Sequence, residues 1–118
     1  MSKVLVVDDS IYQRNIILEV LSRAGYTCVE APDGEKGLEL MDSEKPDCVV
    51  LDINMPKISG EEILKIIRDR KLNLPVIVVS ADIQDSMKKS CLELGARDYL
   101  NKPVNKDLLL KAISDALK

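Results

Sequence analysis

The sequence predicts an α/β fold in which helices cover both faces of a parallel five-stranded sheet. Short continuous apolar runs alternate with segments of helical periodicity along the 118 residues. This alternation is typical of parallel sheets assembled from strand–helix–strand units. Two of these runs, Val4–Val7 and Cys48–Leu51, are continuously apolar, which indicates strands buried on both faces.

Five apolar runs are predicted to form the strands, each bounded by polar or turn-forming residues. They are Lys3–Val7, Thr27–Ala31, Cys48–Leu51, Val76–Val79 and Asp98–Leu100.

Five helices are predicted between and after these strands. The first, Ser10–Ala24, places Ile17 and Leu21 on one stripe with Arg14 one turn earlier, and Gly25 follows as a C-terminal stop. The others are predicted from Gly34 to about Ser43, from Gly60 with Ile63, Ile66 and Ile67 inward, over Gln84–Leu94, and over Asn105–Leu117. The apolar face of the last helix is expected to comprise Leu108, Leu109, Ala112, Ile113 and Ala116.

The order of the strands follows from connection rules. Right-handed crossovers leave few topologies, and the order 2-1-3-4-5 of a three-layer, flavodoxin-like (βα)5 sandwich fits a chain of this length. Ligand sites in such sheets lie outside the carboxyl ends of the strands, where the order reverses. Here that point falls between strands 1 and 3.

The composition excludes several classes of function. The net charge is −3 without a basic patch, which argues against nucleic-acid binding. The chain contains neither an apolar stretch of transmembrane length nor a secretory signal, so we expect no membrane insertion and a cytoplasmic location. The length fits one domain, residues 1–118, without an attached output domain.

Cysteine and histidine usage narrows the available chemistry. Cys28, Cys48 and Cys91 are widely spaced and odd in number, which favours small buried side chains in a reducing compartment. The chain has no histidine and no paired cysteines, which argues against a zinc site and excludes histidine-based catalysis. Carboxylate, hydroxyl, lysine or metal chemistry remains.

Acidic residues end the two strands that flank the reversal point. Asp8 and Asp9 follow the first strand, and Asp52 follows the third. Three carboxylates at one edge repel each other unless a cation or protons neutralise them. The arrangement therefore predicts a Mg²⁺ site.

Ser80 follows the fourth strand and Lys102 follows the fifth, which brings a hydroxyl and an ammonium group to the same edge. Each residue alone has an ordinary explanation. The acid pair could cap a helix, Asp52 could belong to a polar turn, and Ser80 and Lys102 could be solvated. Their conjunction is much more specific than any of them.

At this point the chain resembles the receiver domain of bacterial response regulators. The resemblance rests on the segments VLVVDDS, LDINMPKISG, VIVVSAD and GARDYLNKP, and it extends over essentially the whole chain. Its length is similar to that of stand-alone, CheY-like members of the family.

The resemblance implies a role for each residue of the acidic edge. Asp52 would be the phosphoryl acceptor. Asp9 and Asp52 would bind Mg²⁺, or Mn²⁺ in its place, together with the backbone carbonyl of Asn54, while Asp8 would act largely through water. Lys102 would pair with the phosphoryl group.

The remaining assignments concern switching and turnover. Ser80 would be the switch hydroxyl and Tyr99 the switch aromatic, turning inward when Ser80 moves toward the phosphoryl group. Pro103 would follow a cis peptide bond from Lys102. Asn54 and Asp82, two residues after the acceptor and the switch hydroxyl, would tune the lifetime of the phosphoryl group.

The function implied is that of a two-component response regulator. It would take its phosphoryl group from a histidine kinase or a histidine phosphotransfer protein and catalyse only its own phosphorylation and dephosphorylation. The surface of the fourth helix, fifth strand and fifth helix would then control binding of an unknown downstream protein, in chemotaxis or in another pathway. A phosphatase is a further expected partner.

Other functions stay open on the residues alone. The protein could be a phosphorelay intermediate, a phosphate sink or a Mg²⁺-dependent aspartyl phosphatase. The last usually needs a second acid near the nucleophile, where Asn54 stands, and a cap over the substrate. A flavodoxin-like electron carrier would need aromatic residues around a flavin, and the chain has no Trp or Phe.

Overall fold

A computed structural model describes residues 2–118 and contains five strands and five helices in alternation. The strands are β1 (Lys3–Val7), β2 (Thr27–Ala31), β3 (Cys48–Asp52), β4 (Val76–Ser80) and β5 (Asp98–Asn101). The helices are α1 (Ile11–Arg23), α2 (Gly34–Glu44), α3 (Gly60–Asp69), α4 (Asp85–Glu93) and α5 (Lys106–Ala116). None of these helices is both long enough and apolar enough to cross a membrane.

The five strands form one parallel sheet in the order β2-β1-β3-β4-β5, which confirms the predicted topology. Val7 of β1 lies opposite Leu51 of β3, so Asp8 and Asp52 follow this pair at the same level. On β4, Ser80 is one residue beyond the position opposite Asp52. The register therefore brings the polar ends of the central strands to one edge.

Two apolar cores lie on opposite faces of the sheet. Alternate strand residues such as Leu5 and Val7 pack with α2, α3 and α4, whereas Val4 and Val6 pack with α1 and α5. Because successive side chains of a strand point to opposite faces, a sheet covered on both sides needs uninterrupted apolar strands. This is the reason for the continuous runs in the sequence.

Local hydrogen bonds explain where four helices begin. The side chains of Ser10, Asp33, Ser59 and Asn105 each accept a backbone N–H from the first turn of the helix that follows. Ser59 and Glu62 form a reciprocal capping box at the start of α3.

The structure differs from the sequence predictions at a few positions. Strands β3, β4 and β5 each extend one residue further than predicted, to Asp52, Ser80 and Asn101, because these polar residues still take part in the ladder. Leu108, expected on the apolar face of α5, is 54% exposed. On α3 it is Leu64, rather than Ile66, that is fully buried beside Ile63 and Ile67.

Candidate functional site

Three carboxylates converge at the carboxyl edge of the sheet. One oxygen from each of Asp8, Asp9 and Asp52 lies within 4.8 Å of the others. Asp8 is 1% exposed and Asp52 is 5% exposed, whereas Asp9 lies at the surface. Asp8 and Asp52 thus form the buried part of the cluster, and the cluster is open to solvent on the side of Asp9, where a small ligand can reach it.

Lys102 is the cation that the structure places among these acids. Its Nζ lies 3.0 Å from Asp8 Oδ2 and 3.4 Å from Asp52 Oδ1. The peptide bond from Lys102 to Pro103 is cis. One ammonium group does not balance three carboxylates, so the site keeps a negative excess that favours a divalent cation.

Burial and crowding of charge change the acidity of Asp52. The pKa of Asp52 is raised from 3.8 to about 6, mainly by burial and also by the nearby charge of Asp8, while Lys102 opposes the rise. Near neutral pH the carboxylate is still ionised, which a nucleophile or a metal ligand requires.

The backbone after β3 packs closely beneath the site. The Gly60 N–H donates to the carbonyl oxygen of Ile53 at 3.0 Å. A Cβ atom at Gly60 would lie 2.5 Å from the carbonyl oxygen of Asp52, so only glycine fits here without moving the backbone. Asn54, whose carbonyl is a predicted metal ligand, lies exposed in this loop.

Ser80 and Asp82 form the second part of the site, at the beginning of the β4–α4 loop. Ser80 is fully buried, and its Oγ accepts the N–H of Asp82 at 3.0 Å. The Asp82 carboxylate accepts the N–H of Gln84 at 2.9 Å, so it stabilises the turn that leads into α4.

Two side chains of β5 hold the same loop from the other side. The Tyr99 hydroxyl donates to the carbonyl of Asp82 at 2.7 Å, and Asn101 Nδ2 donates to the same oxygen at 2.9 Å. Burial raises the pKa of Tyr99, which keeps its hydroxyl protonated as a donor. Asp82 therefore connects Ser80 to both residues through its backbone.

Tyr99 already points inward. Its side chain is 5% exposed while Ser80 Oγ is still bonded to the Asp82 amide. Tyr99 is thus buried here without a movement of Ser80, and the coupling of these two residues on phosphorylation stays a prediction.

The residues present fit a magnesium ion. The possible metal ligands at the acidic edge are carboxylate oxygens, and Mg²⁺ in proteins is held by one or two carboxylates while it keeps several waters. Within residues 2–118 this is the only cluster of three or more acidic or thiol side chains with suitable spacing.

Sequence reasoning did not identify two residues that support the site. Asn101 carried no signal, because its bond to Asp82 joins β5 to the β4–α4 loop, two segments that are separate in the sequence. Arg14 did carry one: it lies on the apolar stripe of α1, where an unpaired guanidinium would be costly. The structure shows its Nη1 bonded to the Asp8 carbonyl at 2.8 Å.

Comparisons with known proteins agree with this geometry. Residues 4–114 match the family model of the response regulator receiver domain. The chain is 42% identical over 101 residues to the alkaline phosphatase synthesis transcriptional regulatory protein PhoP of Bacillus subtilis, a match that covers 86% of this chain and 42% of PhoP. It is 36% identical over 119 residues to protein PilH of Pseudomonas aeruginosa, covering 99% of this chain and 98% of PilH.

A solved structure shows the same fold. The crystal structure of the CheX-CheY-BeF3-Mg+2 complex from Borrelia burgdorferi matches with a TM-score of 0.92 at 29% identity, covering 99% of this chain and 90% of that chain. The curated relatives differ in length, since PhoP and two others are matched over only 31 to 50% of their length. Receiver domains bind Mg²⁺ through an acidic pocket such as the one described here. This chain therefore belongs to the response regulator receiver domain family, the signalling domains of two-component systems.

Proposed function

We propose that Asp52 accepts a phosphoryl group from a phosphohistidine of a histidine kinase or a histidine phosphotransfer protein. The observation that carries this proposal is the buried Asp52 carboxylate, which belongs to the acidic cluster at the carboxyl edge of the sheet and lies 3.4 Å from Lys102 Nζ. A carboxylate in such a position can act as a nucleophile and form an acyl phosphate.

In the proposed transfer, an ionised Asp52 oxygen attacks phosphorus. A P–O bond forms and the P–N bond of the phosphohistidine breaks, and the imidazole, already protonated on its other ring nitrogen, leaves as the neutral ring. Phosphoryl transfer needs positioning and charge neutralisation more than covalent assistance. Lys102 supports it because its Nζ, 3.4 Å from the nucleophilic carboxylate, can pair with a phosphoryl oxygen.

Asp9, Asp52 and the carbonyl of Asn54 would hold Mg²⁺ directly, and Asp8 would hold it through water. When bound, the ion neutralises negative charge on the acids and on the incoming phosphoryl group. The CheY relative crystallised with BeF3 and Mg+2 supports this assignment by analogy.

The proposed switch begins at Ser80. A phosphoryl oxygen is a strong acceptor and would draw the Ser80 hydroxyl toward it, away from the Asp82 N–H that it now accepts. Since Tyr99 and Asn101 are both bonded to the Asp82 carbonyl, a shift of Asp82 would reach β5 directly. The surface of α4, β5 and α5 would then change its affinity for a partner.

Turnover would be tuned from two positions. Asn54 is exposed beside the acceptor, where it can influence the approach of water. Asp82 would act through the loop, because its Oδ1 accepts the N–H of Gln84 and so holds the turn before α4. We expect Asp82→Ala to change the lifetime of the phosphoryl group, measured as its rate of loss after the phosphodonor is removed.

The proposed partners are a histidine kinase or phosphotransfer protein, a phosphatase, and a downstream protein, all in the cytoplasm. A CheX-CheY complex is known for a structural relative, and a chemotaxis role for this chain is proposed by analogy with it. Capture experiments that compare the beryllofluoride-treated with the untreated protein would identify partners that prefer the activated form.

The test of the central proposal is phosphorylation by acetyl phosphate in the presence of Mg²⁺. We expect the intact protein to gain one phosphoryl group by mass spectrometry, and to lose it with hydroxylamine, as acyl phosphates do. Asp52→Asn should gain none, and EDTA should block labelling. Asp42→Asn, an exposed acid on α2, is the matched control and should be labelled normally. Equal labelling of Asp52→Asn and the intact protein would reject Asp52 as the acceptor.

A further inference from the structure

Arg14 is a buried cation next to the acidic site that the phosphoryl chemistry does not use. It is only 8% exposed, on the inward stripe of α1 with Ile17 and Leu21. A buried guanidinium is tolerated when its donors are paired. Nε donates to the Glu30 carboxylate at 2.8 Å, and Nη1 donates to the backbone carbonyl of Asp8 at 2.8 Å.

The bond from Arg14 completes the fixation of Asp8. The Asp8 N–H donates to the Ala31 carbonyl at 3.2 Å. Its Oδ1 accepts the N–H of Ser10 at 2.9 Å, and its Oδ2 accepts from Lys102 at 3.0 Å. Because every polar atom of Asp8 has a partner, this residue has one orientation.

Asp9 depends on its neighbour for its orientation. Its carboxylate is exposed, and no residue within 2–118 donates a hydrogen bond to it or forms an ion pair with it. The carbonyl that Arg14 holds belongs to the peptide bond between Asp8 and Asp9. Since a peptide group is planar, holding its oxygen fixes the plane from which the Asp9 side chain projects.

We propose that Arg14 is a positioning residue for the cation site. Its Nη1 holds the Asp8–Asp9 peptide group and its Nε is held by Glu30. The fixed peptide group then orients the Asp9 carboxylate toward Asp8 and Asp52. This inference rests on the proposed magnesium site. A positioning role and a simple charge effect predict opposite results. If Arg14 acted only through its positive charge near three carboxylates, it would weaken Mg²⁺ binding, and its removal would strengthen binding. If it positions Asp9, its removal weakens binding.

The test uses Mg²⁺ titrations of the intact chain, followed by amide NMR shifts at residues 8–10 and 52–54. Arg14→Met removes the clamp and fills the buried space with an apolar side chain, and Arg14→Lys keeps the charge but lacks the planar fork. Both should bind Mg²⁺ about 10-fold more weakly, the scale of losing a residue that orients a metal ligand. Arg68→Met, on an exposed ion pair of α3, is the matched control and should bind normally.

Two further measurements separate positioning from general structural damage. The Mg²⁺ concentration for half-maximal phosphorylation by acetyl phosphate should rise in Arg14→Met, while the rate at saturating Mg²⁺ stays near that of the parent protein. Glu30→Gln should bind Mg²⁺ almost normally, because an amide oxygen can still accept from Nε. If Arg14→Met does not fold, Arg14→Lys decides the question, because unchanged Mg²⁺ binding in that variant would overturn the proposal.

Unchanged or tighter Mg²⁺ binding in Arg14→Met would overturn the proposal, because it would show that Arg14 acts only through its charge or not at all. Equal weakening in Arg68→Met would overturn it as well. Failure of the parent protein to bind Mg²⁺ would instead reject the magnesium site, and with it this inference. The two failures are therefore distinguishable.

Discussion

Asp52→Asn is expected to stabilise the metal-free protein near neutral pH. Asp52 is buried beside Asp8, and its pKa rises from 3.8 in an ordinary environment to about 6. Between these values the folded protein binds more protons than the unfolded chain, so the ionised group lowers stability as pH rises through this range. A rise of that size corresponds to about 2 to 3 kcal/mol of the free energy of unfolding at neutral pH.

The assay is urea unfolding followed by far-ultraviolet circular dichroism in EDTA. At about pH 7.5 the variant should gain about 2 kcal/mol, whereas at about pH 4 the gain should shrink because Asp52 is then protonated in the folded parent protein. Asp42→Asn, an exposed residue whose ion pair with Arg70 is long at 3.9 Å, should change stability little at either pH. An Asp52→Asn variant that is no more stable than the parent, or equally stabilised at both pH values, would refute the reasoning.

Three further predictions concern the ligand, the backbone and the switch. Mg²⁺ at about 100 times its dissociation constant should stabilise the parent protein by about 2.7 kcal/mol, and in thermal unfolding Asp52→Asn should show much less of this effect. Gly60→Ala should lower the free energy of unfolding by about 1 to 3 kcal/mol and slow labelling by acetyl phosphate, because its Cβ would lie 2.5 Å from the Asp52 carbonyl oxygen. Gly95→Ala, at a φ of +107° with open space around it, should lower stability without slowing labelling. Equal labelling rates in the two variants would contradict this. Tyr99→Phe should lose about 1 kcal/mol of stability, because its hydrogen bond to the Asp82 carbonyl is removed. Since burial raises the pKa of Tyr99, an absorbance titration of the variant should also lack a tyrosine that ionises at high pH in the parent protein. An unchanged titration would contradict the assignment of that tyrosine to Tyr99.

The fold was predictable because its signals are local. Continuous apolar runs marked the strands, and side chains such as Ser10 and Asn105 marked helix starts through bonds to residues three positions later. The strand ends were less accurate, since Asp52 and Ser80 look like loop residues by polarity but pair with neighbouring strands. Ladder pairing is a property of two segments, and one segment alone does not display it.

The sequence by itself determined the parallel sheet, its order, and the identity of the acids expected at the reversal point, because strand periodicity and connection rules are enough to bring Asp8, Asp9 and Asp52 to one edge. Only the tertiary structure decided how these side chains are held. Lys102 lies between two carboxylates, Tyr99 is already inward, and Arg14 clamps the peptide that carries Asp9. These contacts join residues far apart in the chain, so they exist only after folding has brought the strands and helices together.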